Sequence, residues 1–387
     1  MTSSAPYVDL DLFDEASLKN PFADYRRLRD AGALVRLARP DVYAVGRFAD
    51  VQAALRSPNK LISGEGVGFS DVFNAPKGMN VIQSDGELHN RLRLTVMRPL
   101  APATISKARD DLKVMVAARV DALKGKGWFD AMQELASFLP VQAISHLVGL
   151  PEVGRERMLA WAAATFNLIG PNQDPADLRA AMEVRDFIME LAEDSVRDGS
   201  WAGELFAATR SGKLSEVEAR AAISAYLIPS LDTTILAKGH LLRNLTVNVE
   251  QWEAVKAQPD LARAAVIESV RLHSVLRWFS RVAAEDYEVD GAVLPKGARL
   301  MVLYGCANRD ERRYEDPDRF VVTRDAKDQL SWGTGAHMCA GVHLARLEME
   351  VLVEALIEAD AKFEAGEPEL GVNAGLHGFT KLPLRIV

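Results

Sequence analysis

A short loop before the last helical pattern constrains this chain more than any other feature. It runs from Leu330 to Gly341 as Leu-Ser-Trp-Gly-Thr-Gly-Ala-His-Met-Cys-Ala-Gly, and its Cys339 is one of two cysteines in 387 residues. A cysteine just before a helix lies near unpaired N–H groups and the positive end of the helix dipole, which lower the pKa of a thiol and favour the metal-binding thiolate. Gly333, Gly335 and Gly341 let the backbone approach a flat ligand closely. The loop therefore suits axial ligation of a haem iron.

Three other uses of Cys339 are possible on the residues alone. The simplest is a buried structural cysteine in a turn. A zinc site could use His337, Cys339 and His343, but the paired Cys-x-x-Cys spacing of structural zinc is missing. An activated Cys–His nucleophile is also possible, although it leaves the other motifs unexplained.

The loop resembles the haem-binding signature of the cytochrome P450 superfamily, Phe-Gly-x-Gly-x-His-x-Cys-x-Gly, with Trp332 in the place of Phe. The resemblance implies a soluble bacterial haem-thiolate monooxygenase with haem b (iron protoporphyrin IX) and Cys339 as its metal ligand. It also implies a mainly α (α+β) fold, a helix-rich prism with small β-sheets. Because the order of elements matches the family and no Pro/Gly/Ser linker interrupts it, we expect a single domain over residues 1–387.

Composition limits the partners and the compartment. The net charge of −8 disfavours binding to nucleic acid or to an anionic membrane. The first residues are polar and acidic, unlike a signal peptide, and no apolar run approaches the ~18 residues of a membrane span. Two cysteines in this length favour a reducing compartment. We therefore expect a cytoplasmic protein without a nucleic-acid or membrane partner.

Several helices are marked by their first and last residues. Asn20-Pro21 predicts a helix start and Gly32 its end, while 35–45 predicts a pair of short strands. Ser84 with Glu87, and Ser215 with Glu218, read as capping boxes; they open helices over 86–100 and from 216 to about 249. The remaining expectations are helices at about 103–124, 129–148, 152–167, 175–198, 259–273 and 340–359, short strands near 283–302, an irregular stretch over 305–330 and a hairpin over 371–387.

Four cationic or N–H donor residues match the family positions that hold the two haem propionates. His89 and Arg93 are four residues apart, so both point to one side of their helix. By resemblance Arg281 and His337 complete the set, since propionates need such donors. A second family motif is Glu268 with Arg271, three residues apart, which the resemblance buries as a structural clamp with Arg319 as third member.

The segment Asp232-Thr233 resembles the acid–alcohol pair beside the dioxygen site, which implies catalytic roles for both residues. A hydroxyl can orient a bound water, and a carboxylate can relay protons from solvent. The alternative is that Thr233 bonds back to a helix carbonyl. The chain departs from the family just before this pair, where Pro229-Ser230 replaces two small residues. Proline removes an N–H and clashes with the preceding turn, so the helix should kink or open there.

The substrate is the least determined part of the sequence. By resemblance the pocket walls come from 63–80, 166–169, 227–231, 275–280 and 377–379. The first wall is rich in glycine, and should be mobile or tightly turned; it resembles the loop of family members that oxidise small aromatic acids and phenols. Arg277 can meet a substrate carboxylate or point to solvent. The candidate lining residues are Phe69, Phe73, Phe166, Leu227, Leu276, Phe279 and Phe379.

The expected activity is insertion of one oxygen atom of O2 into a small organic substrate, by hydroxylation or O-dealkylation. No flavin or ferredoxin module is recognisable, so we expect a separate ferredoxin and an NAD(P)H-dependent ferredoxin reductase. Arg91, Arg98 and Arg346 are candidates for a basic docking patch. Three alternatives stay open: a peroxide-driven haem-thiolate enzyme, a haem-binding sensor without catalysis, and a helical scaffold without haem.

Overall fold

The helices provide most of the framework. The computed structural model describes residues 4–75, 77 and 80–387. Within these residues the helices are α1 (Glu15–Lys19), α2 (Phe22–Ala31), α3 (Phe48–Leu55), α4 (Asp71–Asn74), α5 (Gly86–Met97), α6 (Pro102–Ile105), α7 (Arg109–Leu123), α8 (Phe138–Val148), α9 (Glu152–Asn167), α10 (Pro175–Glu190), α11 (Trp201–Arg210), α12 (Glu216–Leu227), α13 (Asp232–Val247), α14 (Val249–Ala257), α15 (Ala262–Leu272), α16 (Tyr304–Ala307) and α17 (Val342–Glu358).

The strands form small sheets beside the helices. They are β1 (Tyr7–Asp11), β2 (Val35–Arg39), β3 (Val42–Val45), β4 (Leu61–Ile62), β5 (Phe129–Asp130), β6 (Trp278–Ala283), β7 (Tyr287–Val289), β8 (Ala292–Leu294), β9 (Arg299–Leu303), β10 (Phe363–Ala365), β11 (Glu369–Leu370), β12 (Phe379–Lys381) and β13 (Pro383–Ile386). The largest sheet has the order β1-β2-β3-β9-β6-β4, and a second has the order β10-β13-β5. The pairs β7–β8 and β11–β12 stand alone.

One of the two predicted capping boxes is present. The Ser215 hydroxyl accepts a bond from the Glu218 N–H, and the Glu218 carboxylate accepts one from the Ser215 N–H. The second box is wrong, because the Ser84 hydroxyl donates to the Val81 carbonyl instead. Asp85 occupies the cap position of α5 without capping it, since its carboxylate is engaged elsewhere.

The long helix predicted after Ser215 is divided in two. α12 ends at Leu227 and α13 begins at Asp232, with residues 228–231 outside both helices. Pro229 lies in this gap, where its missing N–H and its ring oppose a continuous helix. The expected opening at Pro229 is therefore confirmed, and it places the helix start directly at Asp232.

Four other predictions need correction. The helix expected over 129–148 begins as strand β5 and a π-helical turn, Met132–Ala136. The helix expected over 175–198 ends at Glu190, and α11 was not predicted. The residue before α2 is Pro21 rather than Asn20, although Gly32 ends that helix as expected. The tail is not a hairpin, because β12 pairs with β11 while β13 pairs with β10 and β5.

Two hydrophobic cores meet at the break between α12 and α13. One core fills the space among the helices, including α5, α7, α13, α15 and α17. The other lies against the large sheet. Ile228, Leu236 and Ala237 pack against both cores. The segment around Asp232 and Thr233 thus lies on the boundary between them. In the described chain, no helix has the length and apolarity needed to cross a membrane.

Candidate active site

The cysteine loop is fixed by its own backbone. The Cys339 N–H donates to the Trp332 carbonyl at 2.8 Å, and the Gly333 N–H donates to the Leu330 carbonyl at 2.8 Å. Gly333 has φ +66° and Gly335 has φ +74°, conformations that L-residues with side chains rarely adopt. A Cβ added to Gly335 would also lie 2.6 Å from the Leu55 carbonyl oxygen. The loop therefore requires glycine at 335 for both reasons.

The backbone N–H groups of Gly341 and Val342, at the start of α17, act to lower the pKa of the Cys339 thiol. The residue is part-buried by exposure, but its sulfur lies among protein atoms, and this burial raises the pKa of the thiol. The two N–H groups and Arg93 act in the opposite direction. The expectation that the loop by itself lowers the thiol pKa is wrong, because desolvation outweighs the donors. A coordinated metal ion would supply the missing positive charge and deprotonate the thiol.

The four residues expected to hold propionates lie around this loop. The His89 and His337 rings have centroids 4.2 Å apart, and Arg93 donates to the Met338 carbonyl beside Cys339. Arg281 is buried and donates to the Ser280 carbonyl at 2.7 Å. Burial lowers the pKa of His337 to about 3, with Arg281, His89 and Arg93 adding to the effect. His337 is therefore neutral at pH 7, and its 4.0 Å approach to Asp85 is not an ion pair.

These residues fit a dianionic cofactor edge. In the described residues neither Arg93 nor Arg281 has a carboxylate within ion-pair distance, and Nε2 of the buried His89 has no hydrogen-bond partner. Buried cations and buried imidazole nitrogens are normally paired. Two unmatched guanidinium groups and an unsatisfied imidazole beside a part-buried thiol match the propionates and the metal of haem.

Asp232 and Thr233 begin α13 at the helix break. Burial raises the pKa of Asp232 to about 7, so its carboxyl group is divided between acid and carboxylate near neutral pH. The Thr233 hydroxyl donates to the Pro229 carbonyl at 2.6 Å. This is the backbone contact foreseen as the alternative for Thr233, and it leaves the lone pairs of the hydroxyl oxygen able to accept a bond from water.

The Glu268–Arg271 pair is buried as the resemblance implied, with both side chains 0% exposed and two contacts of 2.7 and 2.8 Å. The third member is not Arg319. Its side chain is 74% exposed and lies 3.5 Å from Asp316. Arg324 takes the place, with Nε 3.1 Å from a Glu268 oxygen. The assignment failed because both arginines lie in the irregular stretch 305–330. Only the fold of that stretch decides which of the two side chains turns inward.

Asn308 connects this clamp to the cysteine loop, a role that the sequence analysis missed. Its carbonyl accepts a bond from Arg271 at 2.7 Å, and its side-chain oxygen accepts one from the Leu330 N–H at 2.7 Å. Its amide nitrogen donates to the Ser331 and Ser274 hydroxyls at 2.8 Å each. A polar residue with 0% exposure is the signal that reveals it, and exposure is not readable from sequence.

The candidate substrate residues divide between the two cores. Leu227 and Phe379 belong to the helical core, and the Phe379 ring lies 4.9 Å from the His240 ring. Phe69 stacks on Trp278, with centroids 4.6 Å apart. The residues that pack in the sheet core are Phe69, Phe73, Phe166, Leu276 and Phe279. The candidates therefore do not form one cluster, and each core contributes part of the set.

The glycine-rich wall is tightly turned in its described part. The Asp85 carboxylate accepts bonds from the Ser63 and Gly64 N–H groups at 2.9 and 2.6 Å. Asn74 bonds to both the N–H and the carbonyl of Gly68. The part of this wall formed by Pro76, Gly78 and Met79 lies outside the described residues.

Arg277 neither reaches solvent nor faces a substrate. It is 2% exposed and donates to the Ser17 carbonyl at 3.0 Å and to the Leu18 carbonyl at 3.4 Å. The structure thus removes Arg277 as a carboxylate receptor, because its guanidinium is occupied by the N-terminal segment.

The zinc alternative at His337, Cys339 and His343 is not formed. Across the described residues, the one group of histidine, cysteine or acidic side chains close enough to share an ion is His240, His273 and His377. The rings of this second group are parallel within 2–3°. In-plane lone pairs of stacked rings do not converge on one point, so we assign no metal to it. Two carbonyls fix its polar contacts, since His240 bonds to the His377 carbonyl and His377 to the Lys19 carbonyl, both at 3.1 Å.

Comparison with known proteins identifies the family. The sequence profile described as Cytochrome P450 matches residues 250–365. Cytochrome p450 CYP199A2 of Rhodopseudomonas palustris is 32% identical over 99% of this chain and 95% of its own length. Beta-dihydromenaquinone-9 omega-hydroxylase of Mycobacterium bovis is 28% identical over 98% of this chain and 78% of its own length. The solved structure of epothilone D-bound cytochrome P450epoK has a TM-score of 0.86 and 26% identity, covering 98% of this chain and 99% of that one.

These matches agree with the thiol at the start of α17, the unmatched cations around it and the buried Glu268–Arg271 pair. The helix-rich fold with small sheets is the fold of these relatives. The chain belongs to the cytochrome P450 family, the haem-dependent monooxygenases.

Proposed function

We propose that this protein would bind haem b through the Cys339 thiolate and insert one oxygen atom of O2 into a small aromatic acid or phenol. The reaction is hydroxylation or, at a carbon next to an ether oxygen, O-dealkylation. One observation carries the proposal: Cys339 lies in a fixed loop just before α17, and Arg93, bonded to the Met338 carbonyl of this loop, has no carboxylate partner in the described residues.

A bound haem would supply the oxygen-activating chemistry that protein side chains lack, and a thiolate ligand would favour that chemistry by donating electron density. His89, Arg93, Arg281 and His337 would hold its propionates. The chain contributes positioning, exclusion of water and control of protons.

Asp232 and Thr233 are the proposed proton-handling residues. A carboxyl group with a pKa near 7 both holds and releases a proton at neutral pH, which is the condition for efficient general acid–base catalysis. The Thr233 hydroxyl donates to the Pro229 carbonyl, so its oxygen is oriented to accept a bond from a water molecule. Asp232 would exchange protons with such a water, which the Thr233 hydroxyl would hold in place.

The substrate class rests on the apolar walls. Five of the candidate lining residues are phenylalanines on the two cores that meet at the helix break, Phe69, Phe73, Phe166, Phe279 and Phe379. Flat aromatic bodies pack well against such rings. Since Arg277 is engaged by backbone carbonyls, an acid substrate would need another donor, which makes phenols the better matched half of this class.

Electrons would come from a separate ferredoxin and its NAD(P)H-dependent reductase. Of the three arginines suggested as a docking patch, Arg91 lies 2.6 Å from Glu218 and Arg346 lies 3.5 Å from Glu350. Arg98 is exposed at the end of α5. The patch is therefore weaker than the sequence suggested, since two of its charges are already partly matched.

The test compares the two cysteines in haem-loaded protein. We expect Cys339→Ser to lose the absorption band of the thiolate-ligated carbon monoxide complex and all NADH-driven product formation from guaiacol or 4-methoxybenzoate. Cys306→Ser is the matched control, because Cys306 is fully buried in the sheet core. An unchanged spectrum and turnover in Cys339→Ser would refute the proposal.

Two further outcomes of the same assay point to other functions. Turnover with hydrogen peroxide but not with NADH and redox partners would indicate a peroxide-driven enzyme. Haem binding without product from any substrate would indicate a sensor.

A further inference from the structure

Lys238 and Glu348 form an ion pair in the interior of the protein. Lys238 Nζ lies 2.7 Å from Glu348 Oε2, and the two side chains are 1% and 2% exposed. The pair joins α13 to α17. In the described residues it is the only ion pair formed by α13.

The pair links the two helices that begin at the candidate site, α13 and α17. Lys238 is six residues after Asp232, the first residue of α13. Glu348 is six residues after Val342, the first residue of α17, which follows Cys339 by three residues. At 1.5 Å per residue, the pair lies about 9 Å along each helix from the proposed catalytic end. Two helices that begin at the site are thus tied together at the same depth.

One side-chain bond holds the start of α13 to the preceding segment, from the Thr233 hydroxyl to the Pro229 carbonyl at 2.6 Å. Residues 228–231 separate it from α12, and its cap residue Leu231 offers no side-chain bond. The first helical N–H bond of α13 runs from Ile235 to the Leu231 carbonyl. Because Pro229 itself lies in the gap between the two helices, the placement of Asp232 and Thr233 also depends on contacts made further along α13.

A buried ion pair fixes one arrangement where apolar side chains allow several. Apolar contacts are non-directional, whereas a charged hydrogen bond requires one distance and one angle. Buried pairs contribute little net stability compared with apolar replacements, and their best-attested use is to fix register. This favours a positioning role over a purely stabilising one.

We propose that Lys238 and Glu348 are positioning residues, whose ion pair sets the register of the helix carrying Asp232 and Thr233 against the helix that follows Cys339. The inference rests on the proposed function for its consequence: a shifted α13 would misplace the proton donors, so that reduced oxygen leaves as hydrogen peroxide rather than entering the substrate.

The experiment replaces the pair by apolar side chains of similar size, Lys238→Met together with Glu348→Met. Two readouts are measured on the full haem-loaded chain: amide hydrogen exchange of residues 232–236, and peroxide released per NADH consumed with a ferredoxin and its reductase. Lys256→Met is the matched control, since Lys256 pairs at the surface with Glu253 and Asp360.

We expect the double variant to unfold near the wild-type temperature, because apolar replacement of a buried pair is often neutral. Exchange at 232–236 should rise about tenfold through local opening, and peroxide release should rise several-fold. Wild-type exchange and peroxide release in a folded double variant would overturn the inference. If that variant does not fold, Glu348→Gln provides the test: it keeps size and an acceptor, and exchange at 232–236 equal to wild type would overturn the inference in the same way.

The exchange readout separates this inference from the proposed function. It requires no turnover, so it can fail while the enzyme is an active monooxygenase. Conversely, absence of product in the wild type would refute the proposed function and leave the exchange result to decide the role of the pair.

Discussion

Exchanging two neighbouring arginines for methionine tests how the clamp under the cysteine loop is built. Arg324 donates to a Glu268 oxygen at 3.1 Å and to the Glu315 and Asp316 carbonyls, and its side chain is 12% exposed. Arg319, five residues earlier, is 74% exposed and lies 3.5 Å from Asp316. The two substitutions remove the same charge from the same segment, so their difference isolates burial and bonding.

The expected cost of Arg324→Met follows from the bonds that it removes. The bond to the buried Glu268 carboxylate is worth about 1.5–3 kcal/mol, and the two carbonyl bonds about 0.5–1.5 kcal/mol each. We therefore expect the free energy of unfolding to fall by about 3–5 kcal/mol, consistent with breaking one contact of a buried charge. For Arg319→Met we expect less than about 0.5 kcal/mol, as for most exposed pairs.

Urea unfolding followed by circular dichroism measures both values, with haem content measured in parallel. Haem content should fall only in Arg324→Met, since the clamp reaches the cysteine loop through Asn308 and Leu330. Equal losses in the two variants, or a larger loss in Arg319→Met, would refute the assignment of Arg324 as the third member.

Three other predictions address the proton donors, the stability in acid and the helix break. Asp232→Asn should lower NADH-driven product formation about 10²-fold or more at unchanged haem content, since general acid–base groups typically contribute that much; near-normal product would argue against its role. Burial lowers the pKa of His240 to about 3, that of His273 well below its usual value and that of His377 to about 4. These groups are neutral when folded but protonate near pH 6.5 when unfolded, so the free energy of unfolding should fall as the pH drops from about 6.5 to 4, by up to about 1.4 kcal/mol per pH unit for each histidine. His377→Phe should make that decline shallower, and an equally steep decline would contradict the assignment. We also expect the Ser230 hydroxyl, which replaces a small family residue before Asp232, to hold an additional water at the break; Ser230→Gly should then change peroxide release, and an unchanged rate would exclude that role.

The residues proposed to carry the chemistry of this protein lie in short segments of sequence. Three local patterns are examples: the Cys339 loop, the Asp232-Thr233 pair and the Glu268–Arg271 spacing. Each can be recognised without knowledge of the fold. Pro229 is equally local, because a missing N–H and a fixed ring act on the adjacent turn wherever the helix lies. The division of the long helix at Pro229 followed from that reason alone.

Predictions failed where distant residues compete for the same partner. Ser84 and Glu87 have the spacing of a capping box. The Asp85 carboxylate between them, however, accepts bonds from the Ser63 and Gly64 N–H groups. Those groups lie about 20 residues earlier in the chain, so the spacing of local residues could not predict the contact. The tail strands likewise pair with β5, β10 and β11, which precede them by up to about 250 residues. Strand pairing is decided by which edges the packed fold leaves open, a property of the whole chain.

Sequence alone pointed to the family, to the candidate metal ligand Cys339 and to the position of the helix break, because each depends on residues within a few positions of one another. The tertiary structure decided which arginine completes the clamp, that Arg277 is occupied by the N-terminal segment, and that Lys238 meets Glu348 across 110 residues. A side chain becomes buried, and meets a partner distant in sequence, only when separate segments pack together and exclude water. Packing of the whole chain therefore decides which of these charged side chains are paired.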